Sequence, residues 1–478
     1  SPGTVTLDCE NVTNQNFTNR MGNWTVCKDE SCDFTKIQDA INAASHDETI
    51  EVHSGTYEEN VVVHKNIQLI GAGAGTIVSG KGTRSVFYIP SGIKVALEGM
   101  EITNGCNASG GGIYSQGNLT LSEVKISNNH ADYAGGGIRN DGSMNLSGGD
   151  ISQNSAANGG GIFNSDSRTM RLQNTIVDQN KASNGGGISN DGFLTMNGAT
   201  VSGNKVSRYG GGILNGYRGN LTLSGGTIYG NIADRNGWGI YSNGDMDLNG
   251  AEISDNTANP ANGANGANDT SGIYIYNGLL DIHDCTISDN VGYQIYINAS
   301  SGHMIHNNTI SGTPPLNQSL CYSQTKGHWN STEIGNNWSN YNGNDSDKDG
   351  IGDENYSIDG GLDKDYLPIF HGVTSGEAAI QISLQGSLQT TPPASQAQYL
   401  LKVTNLGDSE IRDINITDQL SPGIAGISVD SEPQPDISLE PNGTHILRWQ
   451  DTGPLGPGES REIGLLALLD DPRPETLI

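Results

Sequence analysis

An acidic stretch late in the sequence combines the residue types and the spacing that bind metal ions. Asp345, Asp347 and Asp349 alternate with other residues, and Gly350 and Asp353 complete the pattern Asp-x-Asp-x-Asp-Gly-x-x-Asp. Alternate carboxylates converge on one point when such a chain wraps, and the glycine permits a sharp turn. Hard oxygen ligands at this spacing suit Ca²⁺, so the pattern predicts a structural calcium loop.

The ligand set of this loop is incomplete. Ile351 would contribute its backbone carbonyl oxygen, but Tyr356 stands where an EF-hand supplies a bidentate Glu. Asp359, Asp363 or Asp365 would then supply the missing oxygens, or the site is weak; a solvated acidic loop is the alternative. The spacing of Cys and His residues indicates neither zinc nor copper.

The chain before this loop repeats with a pitch of about 25 residues. Gly-Gly-Gly-Ile occurs five times, at spacings of 25, 24, 26 and 25, and a degenerate copy and a loop-like insertion follow. Three short alternating segments per period predict three strands per turn of a parallel β-helix. The repeated isoleucines are Ile113, Ile138, Ile162, Ile188, Ile213, Ile240 and Ile273, and the repeated asparagines are Asn129, Asn154, Asn180, Asn204, Asn231, Asn256 and Asn290.

Stacked turns explain these residue choices. Strands would lie on their counterparts at about 4.8 Å, with Ile on Ile and Leu on Leu in a narrow core. The glycines would occupy tight corners, and the asparagines would form a buried ladder of amides along the stack. We expect about eleven turns between Glu48 and Gly312, a rod of roughly 50 Å.

An amphipathic segment precedes the first turn. Ile37 and Ile41 lie on one face of a short predicted helix, and Thr35 is a candidate N-cap. Such a helix would cover the open end of the solenoid, where core and strand edges are otherwise exposed.

The sequence therefore predicts an all-β protein: a right-handed parallel β-helix with an N-terminal cap helix, a calcium-binding loop and a C-terminal antiparallel β-sandwich. Short alternating strands separated by prolines predict the sandwich. The predicted segments are 1–33 (Cys-containing strand and cap), 34–330 (β-helix), 331–372 (acidic calcium-loop segment) and 376–478 (immunoglobulin-like sandwich).

Six cysteines constrain the fold further. Cys106 and Cys285 would lie about seven turns apart, roughly 33 Å along the axis, too far for a bridge. We therefore predict a Cys285–Cys321 disulfide. Cys9, Cys27, Cys32 and Cys106 would form two bridges over the cap, with their pairing left open.

Composition points to an extracellular acidic glycoprotein. The formal net charge of −29 argues against nucleic-acid binding, and no apolar run is long enough to span a membrane. Seventeen Asn-x-Ser/Thr sequons, six cysteines and the acidic surface together favour a secreted, cell-surface location. The sequon asparagines are Asn11, Asn16, Asn23, Asn107, Asn118, Asn145, Asn220, Asn268, Asn298, Asn307, Asn317, Asn330, Asn337, Asn344, Asn355, Asn415 and Asn442.

Four stretches carry resemblances to known families. The helix followed by GTYEENVVVHKNIQLIGAG resembles the start of right-handed β-helix proteins of the pectin-lyase-like superfamily. The Gly-Gly-Gly-Ile turns resemble polymorphic outer-membrane repeats, and IGNNWSNYNGNDSDKDGIGDENYSIDGGLDKDYLPI resembles the end of NosD-type domains. This combination is frequent on surface proteins of methanogenic archaea. The segment YLLKVTNLGDSEIRDINITDQLSPGI resembles the immunoglobulin-like repeat domains that end many bacterial and archaeal surface proteins.

The resemblance specifies the fold more than the activity. Polysaccharide lyases, hydrolases and epimerases on this fold need acidic pairs or Asp/Arg/Lys clusters on one outer face. The sequence shows no linear motif of that kind, and Asp141, Asp191 and His130 are interpreted as loop residues. We therefore predict a non-enzymatic structural surface protein with structural Ca²⁺, with an adhesin or carbohydrate-binding module as the alternative and a polysaccharide lyase or hydrolase as the second alternative.

The expected partner is a second copy of the chain, and surface glycans are the other candidates. Residues 3–8 form a short alternating strand that would add to the sandwich of the next subunit and build a fibre, sheath or layer. The alternative is that this strand pairs with its own cap. Deletion of residues 1–8 discriminates between the two.

Overall fold

The structure is a computed structural model. It describes residues 24–29, 31–258, 271–299, 302–313, 319–347, 349–361 and 363–370, and in the C-terminal part 380–391, 394–405, 416–420, 424–430, 434–439, 445–449, 454–456 and 459–469. The chain divides into two compact units, with the boundary between Phe370 and His371.

The first unit is a parallel β-solenoid of the right-handed type with about twelve turns and almost no helix. Three long parallel sheets run along it. Sheet A contains Trp24–Val26, Glu48–Val52, Ile67–Gly71, Lys94–Glu98, Asn118–Ser122, Ser143–Ser147, Thr169–Gln173, Phe193–Asn197, Asn220–Ser224, Asp245–Asn249, Leu280–His283 and Met304–His306. Sheet B contains Gly55–Glu58, Thr76–Ser79, Glu101–Thr103, Lys125–Ser127, Asp150–Ser152, Ile176–Asp178, Thr200–Ser202, Thr227–Tyr229, Glu252–Ser254, Thr286–Ser288, Thr309–Ile310 and Asn337–Trp338. Sheet C contains Val61–Val62, Phe87–Ile89, Ile113–Ser115, Ile138–Asn140, Ile162–Asn164, Ile188–Asn190, Ile213–Asn215, Ile240–Ser242, Ser271–Ile275, Tyr293–Ile297 and Cys321–Ser323.

Short ladders lie between sheets B and C on several turns. The first ladder pairs Cys106–Ser109 with His130–Ala134, and the second, further along the axis, has four strands. Single bridges through Ser155 connect the first ladder to the second. We call this row sheet D. The strands of its four-stranded part are Lys181–Ala182, Lys205–Val206, Ile232–Ala233 and Thr257–Ala258.

The predicted stacking of like residues is confirmed. Ile138 pairs in register with Ile113 on one side and Ile162 on the other, and all three side chains are fully buried. The glycine triplets form the predicted corners. Gly185 has a φ of +58°, and a Cβ added to Gly186 would lie 2.3 Å from the carbonyl oxygen of Gly211 on the next turn.

The asparagine ladder is also confirmed. Asn204 donates from Nδ2 to Asn231 Oδ1 (3.0 Å) and to the carbonyl oxygen of Val177 (2.9 Å). It accepts at Oδ1 from the backbone N–H and the side-chain amide of Asn180. The same pattern links the seven predicted asparagines, and it recurs beyond them from Asn308 to Asn336.

The helix spans Ile37–Ala43 and buries Ile37, Ala40 and Ile41 in the solenoid core. Thr35 is not its N-cap: Lys36 holds that position, and its side chain makes no capping hydrogen bond. The carboxylate of Glu59 accepts the first helical N–H groups instead, from Ile37 (2.9 Å) and Gln38 (3.0 Å). The role of this helix as a lid stays a prediction. The other helical segment among the described residues is a 3₁₀ turn, Gly73–Gly75.

Replacement of Glu59 by alanine is expected to destabilise the first turns by about 1–2 kcal/mol, because two helix N–H groups lose a charged acceptor at the positive end of the helix dipole. Urea unfolding followed by circular dichroism measures the change. Glu58→Ala, at an exposed neighbour, is the control, and equal effects of the two substitutions would contradict the capping role.

The cysteine pairing differs from the prediction. The described disulfide joins Cys27 and Cys32, whose Cα atoms lie 5.5 Å apart. The predicted Cys285–Cys321 bridge is wrong, because both thiols are free. Cys285 follows a strand of sheet A and donates to the carbonyl oxygen of His283 (3.2 Å), whereas Cys321 lies in sheet C. Cys106 is also free, so its predicted bridge is wrong, and Cys9 lies outside the described residues.

Two aspartates proposed to complete the calcium loop instead stabilise the last turns. Asp363 accepts from Trp329 Nε1 (3.1 Å) and lies 3.1 Å from Nε2 of the fully buried His303. Asp365 accepts from Trp338 Nε1 (2.9 Å) and from the N–H of Asn336 (2.7 Å), where it ends the ladder. The short antiparallel pair Tyr356–Ser357 and Lys364–Asp365 follows these turns.

The second unit contains two antiparallel sheets, which share one buried cluster that includes Val403, Leu447 and Trp449. Its designation as an immunoglobulin-like sandwich stays a prediction. The four-stranded sheet has the order Ile380–Thr391, Ala394–Asn405, Ser460–Leu469, Ile424–Asp430, and the three-stranded sheet has the order Ile416–Leu420, His445–Trp449, Asp436–Leu439.

Other predictions fall partly outside the described residues. The strand at 3–8 lies there, as do seven sequon asparagines. The other ten sequon asparagines are exposed or half-buried, which leaves their glycosylation a prediction. Among the helices that the structure describes, none has the length and apolar character of a membrane span. The seven asparagines outside the description are Asn11, Asn16, Asn23, Asn268, Asn317, Asn415 and Asn442.

Candidate active site

Two identical tripeptides, Asn-Asp-Gly, place carboxylates at equivalent corners of the solenoid. Asn140 and Asn190 end strands of sheet C, and each Oδ1 accepts the N–H of the glycine two residues later, at 3.1 and 3.2 Å. This hydrogen bond closes a tight turn with an aspartate at its tip, Asp141 in one and Asp191 in the other. The aspartates lie two turns apart, roughly 10 Å along the axis.

A second asparagine ladder holds these corners in line. Asn140 donates to Asn164, Asn164 to Asn190, and Asn190 to Asn215, at 2.8, 2.8 and 2.9 Å, all within the core behind sheet C. Because each ladder asparagine directly precedes a corner residue, the ladder fixes the backbone of the outward-facing column. We call the residues Gln116, Asp141, Ser165 and Asp191 the corner column.

Asp141 is held by hydrogen bonds from three sides. Its carboxylate accepts from Arg139 Nε (3.0 Å), from the Tyr114 hydroxyl (2.8 Å) and from the Ser165 hydroxyl. Burial raises the pKa of Asp141, but the bonds from Ser165, Arg139 and Tyr114 outweigh it, so the pKa lies below its ordinary value. Asp141 is therefore an ionised carboxylate with a fixed orientation.

A relay of side chains continues from Asp141 to the preceding turns. The Tyr114 hydroxyl accepts from Gln116 Nε2 (3.0 Å), whose Oε1 accepts from the Tyr88 hydroxyl (2.9 Å). The guanidinium of Arg139 lies over the rings of Tyr114 and Phe163, 5.7 and 5.5 Å from their centroids. These contacts give the corner column a rigid polar and aromatic flank.

Asp191 has the opposite environment. Among the residues that the structure describes, none donates a hydrogen bond to its carboxylate, and the nearby Asp166 is a second negative charge. Burial, and then the charge of Asp166, raise the pKa of Asp191 above its ordinary value. The environments of the two aspartates therefore move their pKa values in opposite directions, upward for Asp191 and downward for Asp141.

Longer corners flank the turn that carries Asp191. Asp166 on the preceding turn bonds to Arg218 on the following turn, so their ion pair spans the Asp191 corner. Phe193 and Tyr217 lie on the same stretch, with 53% and 72% of their surface exposed. Exposed aromatic rings beside polar groups are typical of sites that stack on ligand rings.

The predicted calcium residues cluster in part. Ligand oxygens of Asp345, Asp347 and Asp349 lie within 4.8 Å of one another. The pKa of Asp347 is raised, chiefly by the charge of Asp349. Asp353 is instead bonded to the N–H of Ser346 (2.8 Å), and the N–H of Ile351 donates to Asp349 (2.8 Å).

The corner column was not predicted from the sequence, because only motifs within one turn were considered and Asp141 and Asp191 were interpreted as loop residues. A solenoid brings together residues about 25 positions apart, so its site is read down the repeat. The sequence does contain a signal for this pair of aspartates. Asn-Asp-Gly begins two residues after the sheet C isoleucine at both positions and on no other Gly-Gly-Gly-Ile turn.

Comparison with known protein families gives a match in the N-terminal region. A family model described as Pectinesterase matches residues 23–95. None of the curated proteins compared with the chain matches its sequence. The first unit has a parallel β-helix fold, and its N-terminal region, residues 23–95, is similar to the pectinesterase family model.

Three solved structures show similarity to this chain. Their TM-scores are all below 0.5, so they say nothing about the activity of this chain. Pectin methylesterase from carrot has 15% identity over 54% of this chain and 81% of that chain, with a TM-score of 0.29. The A-module of the Azotobacter vinelandii mannuronan C-5 epimerase AlgE6 has 16% identity over 63% and 88%, with a TM-score of 0.34. Tailspike gp49 of Acinetobacter baumannii bacteriophage Fri1, a capsular polysaccharide depolymerase, has 9% identity over 90% and 81%, with a TM-score of 0.34.

The prediction that the chain is not an enzyme is wrong. The pectinesterase family match over residues 23–95 contradicts it. The physical reason for the error is that absence of a linear motif says little about a solenoid, whose reactive groups are spaced by whole turns.

Proposed function

We propose that the chain is a polysaccharide-active hydrolase and that the corner column is its active site. The single observation that carries this proposal is the pair of aspartates at equivalent corners, one ionised and fixed, the other with a raised pKa. Two carboxylates whose environments move their pKa values apart are the usual arrangement for acid–base catalysis.

The reaction that best fits is hydrolysis of an ester on an acidic sugar. The pectinesterase match favours this class, and the ionised Asp141 supplies the base that activates water, or the nucleophile that attacks the ester carbonyl to form an anhydride that water then cleaves. In its protonated form, which the raised pKa favours relative to an ordinary aspartate, Asp191 donates its proton to the departing alkoxide. The net reaction consumes one water and releases an alcohol, a carboxylate and a proton.

The other groups have positioning roles in this proposal. Arg139 and Ser165 hold the Asp141 carboxylate, and Gln116 holds Tyr114 in the relay. The exposed rings of Phe193 and Tyr217 would stack on sugar rings beside Asp191. Neighbouring turns offer further corners along the axis, which suits a linear polymer.

A substrate panel tests the proposal. The purified chain is incubated with methyl-esterified pectin, polygalacturonate and alginate, and released methanol, new reducing ends and unsaturated uronates are measured. We expect methanol from esterified pectin. New reducing ends instead would redirect the proposal to glycosidic bonds, and inactivity on all three substrates would refute it.

We also propose that Asp345, Asp347 and Asp349 hold a structural Ca²⁺ with the carbonyl oxygen of Ile351. The clustering of the three carboxylates supports this, and Asp353 would have to leave the Ser346 N–H to join them.

Removal of calcium is expected to lower the melting temperature and expose residues 340–370 to proteases, because uncompensated carboxylates repel one another. Calorimetry and limited proteolysis with EDTA, and with Ca²⁺ restored, measure the effect. The double variant Asp347→Asn/Asp349→Asn should not respond to Ca²⁺. An identical response of the native chain and this variant would contradict the site.

An extracellular location and use of the sequons belong to the same proposal. The ten described sequon asparagines are all outside the buried core, which is compatible with attached glycans. Self-association of the chain remains a separate proposal, tested by the deletion of residues 1–8.

A further inference from the structure

A second concave surface runs along sheet D, away from the corner column. It is a cleft of about 660 Å³ that extends over five successive turns, from His130 to Asp234. Small apolar side chains, among them Ala131, Ala182 and Val206, form its floor and are buried. Behind the floor Ala182 and Val206 pack with Trp238. On each turn a strand of sheet C separates the cleft from the corner column.

Two lysines stand in register at the centre of this cleft. Lys181 and Lys205 are direct partners in neighbouring parallel strands, so their Cα atoms are about one strand spacing, 4.8 Å, apart. Both side chains are exposed, and within the described part of the chain neither ammonium group forms an ion pair. Like charges directly opposite each other are unfavourable, and a bound anion would relieve that repulsion.

The turns beside the lysines carry polar groups in fixed geometry. His130 Nδ1 lies 2.9 Å from the Ser155 hydroxyl, and its Nε2 lies 3.5 Å from the Asp132 carboxylate. Asp132 and Asp234 line the two ends of the cleft, so positive charge is confined to the central turns. In a chain of net charge −29, the two lysines form a local positive patch on the cleft.

We propose that this cleft is a non-catalytic binding site for an acidic polysaccharide. Carboxylates on successive sugars contact Lys181 and Lys205, the C–H faces of the sugars lie on the half-buried Ala156 and Ala157, and sugar hydroxyls bond to His130 and Ser155. The proposal goes beyond the hydrolytic function and does not depend on it, because none of these residues belongs to the corner column.

Binding of a fluorescent, de-esterified oligogalacturonate, measured by anisotropy at low and high salt, tests the proposal. We expect Lys181→Gln/Lys205→Gln to weaken binding about tenfold, since two charge-assisted contacts are lost. Binding by the native chain should fall with salt. The matched control is Lys81→Gln/Lys94→Gln, which removes two exposed lysines outside the cleft and should bind like the native chain.

Two results would overturn the proposal: equal affinity of the cleft variant and the native chain for the oligogalacturonate, or equal affinity of the Asp141→Asn variant, which should not hydrolyse the esters, for the de-esterified and the fully methyl-esterified oligomer. A failure of this binding proposal can be distinguished from a failure of the proposed hydrolase function. The cleft variant should still release methanol from a short esterified substrate, and Asp141→Asn should still bind the oligogalacturonate.

Discussion

Replacement of Asp141 by asparagine is expected to lower the rate of ester hydrolysis about a thousandfold, the range for loss of a positioned base. Asparagine keeps the shape and can still accept from Tyr114 and Ser165, but it removes the charge that acts on water or the ester carbonyl. Steady-state methanol release measures the effect, and because the charge acts in the chemical step, kcat should fall with little change in KM.

Asp247→Asn is the control for this substitution, because Asp247 is an exposed carboxylate on the outer face of sheet A. It should keep native activity. If an Asp141→Asn variant folds and retains more than a tenth of native kcat, Asp141 has a structural role only. The active site would then have to lie elsewhere on the chain.

The pH profile of hydrolysis is expected to be bell-shaped. The rate rises as pH passes the lowered pKa of Asp141, which must be ionised. It falls as pH passes the raised pKa of Asp191, which must be protonated. Asp166→Asn removes the neighbouring charge that helps to raise the Asp191 pKa, so it should move the alkaline limb to lower pH. An unmoved limb would contradict the role of Asp191.

The largest loss of stability is expected from Asn204→Ala. This substitution removes four hydrogen bonds from the core, and the N–H of Asn180 and the carbonyl oxygen of Val177 lose the Asn204 side chain as their partner. The Asn180 amide keeps its bond to the Ile151 carbonyl oxygen, and Asn231 Oδ1 keeps the backbone N–H of residue 204. At about 1–3 kcal/mol for each buried unsatisfied group, partly relieved by relaxation, we expect a loss of about 4 kcal/mol. Urea unfolding monitored by circular dichroism measures the change.

Asn197→Ala is the matched control, because Asn197 is exposed on the outer face of sheet A. It should change stability by less than about 0.5 kcal/mol. If Asn204→Ala were equally mild, water would have to replace the amide, and the ladder would contribute little to the rigidity of the solenoid.

Repetition made the fold readable from the sequence. The repeated Gly-Gly-Gly-Ile motif indicates the length of one turn, and the asparagines that recur in register with Asn204 indicate a buried corner. Both can be recognised because each turn must satisfy the same steric and hydrogen-bonding demands. Pairings across the core were not readable in this way. Cys285 and Cys321 are near each other along the axis, but the position of each around the turn decides whether they meet, and spacing in sequence says little about it.

The proposed active site was not predicted from the sequence for a related reason. Asp141 and Asp191 are each ordinary turn residues in their own turn, and only their common place in the repeat makes them a pair. Their pKa directions depend on neighbours such as Ser165 and Asp166, whose contacts come from other turns. Helix capping by Glu59 is similar, since the acceptor lies some twenty residues beyond the helix it caps.

The second asparagine ladder, from Asn140 to Asn215, repeats once per turn and so sets a fixed spacing between corner side chains along the axis. Corner side chains can be separated along the axis only by whole turns, so the gap between the two aspartates cannot drift gradually. It changes by insertion or loss of a complete period of about 25 residues. Excision of residues 159–184 would move Asp191 to the turn beside Asp141 and halve the gap in a single step. A protein built this way can therefore adapt to a new bond in its substrate by changing how many turns it has between two unchanged corners.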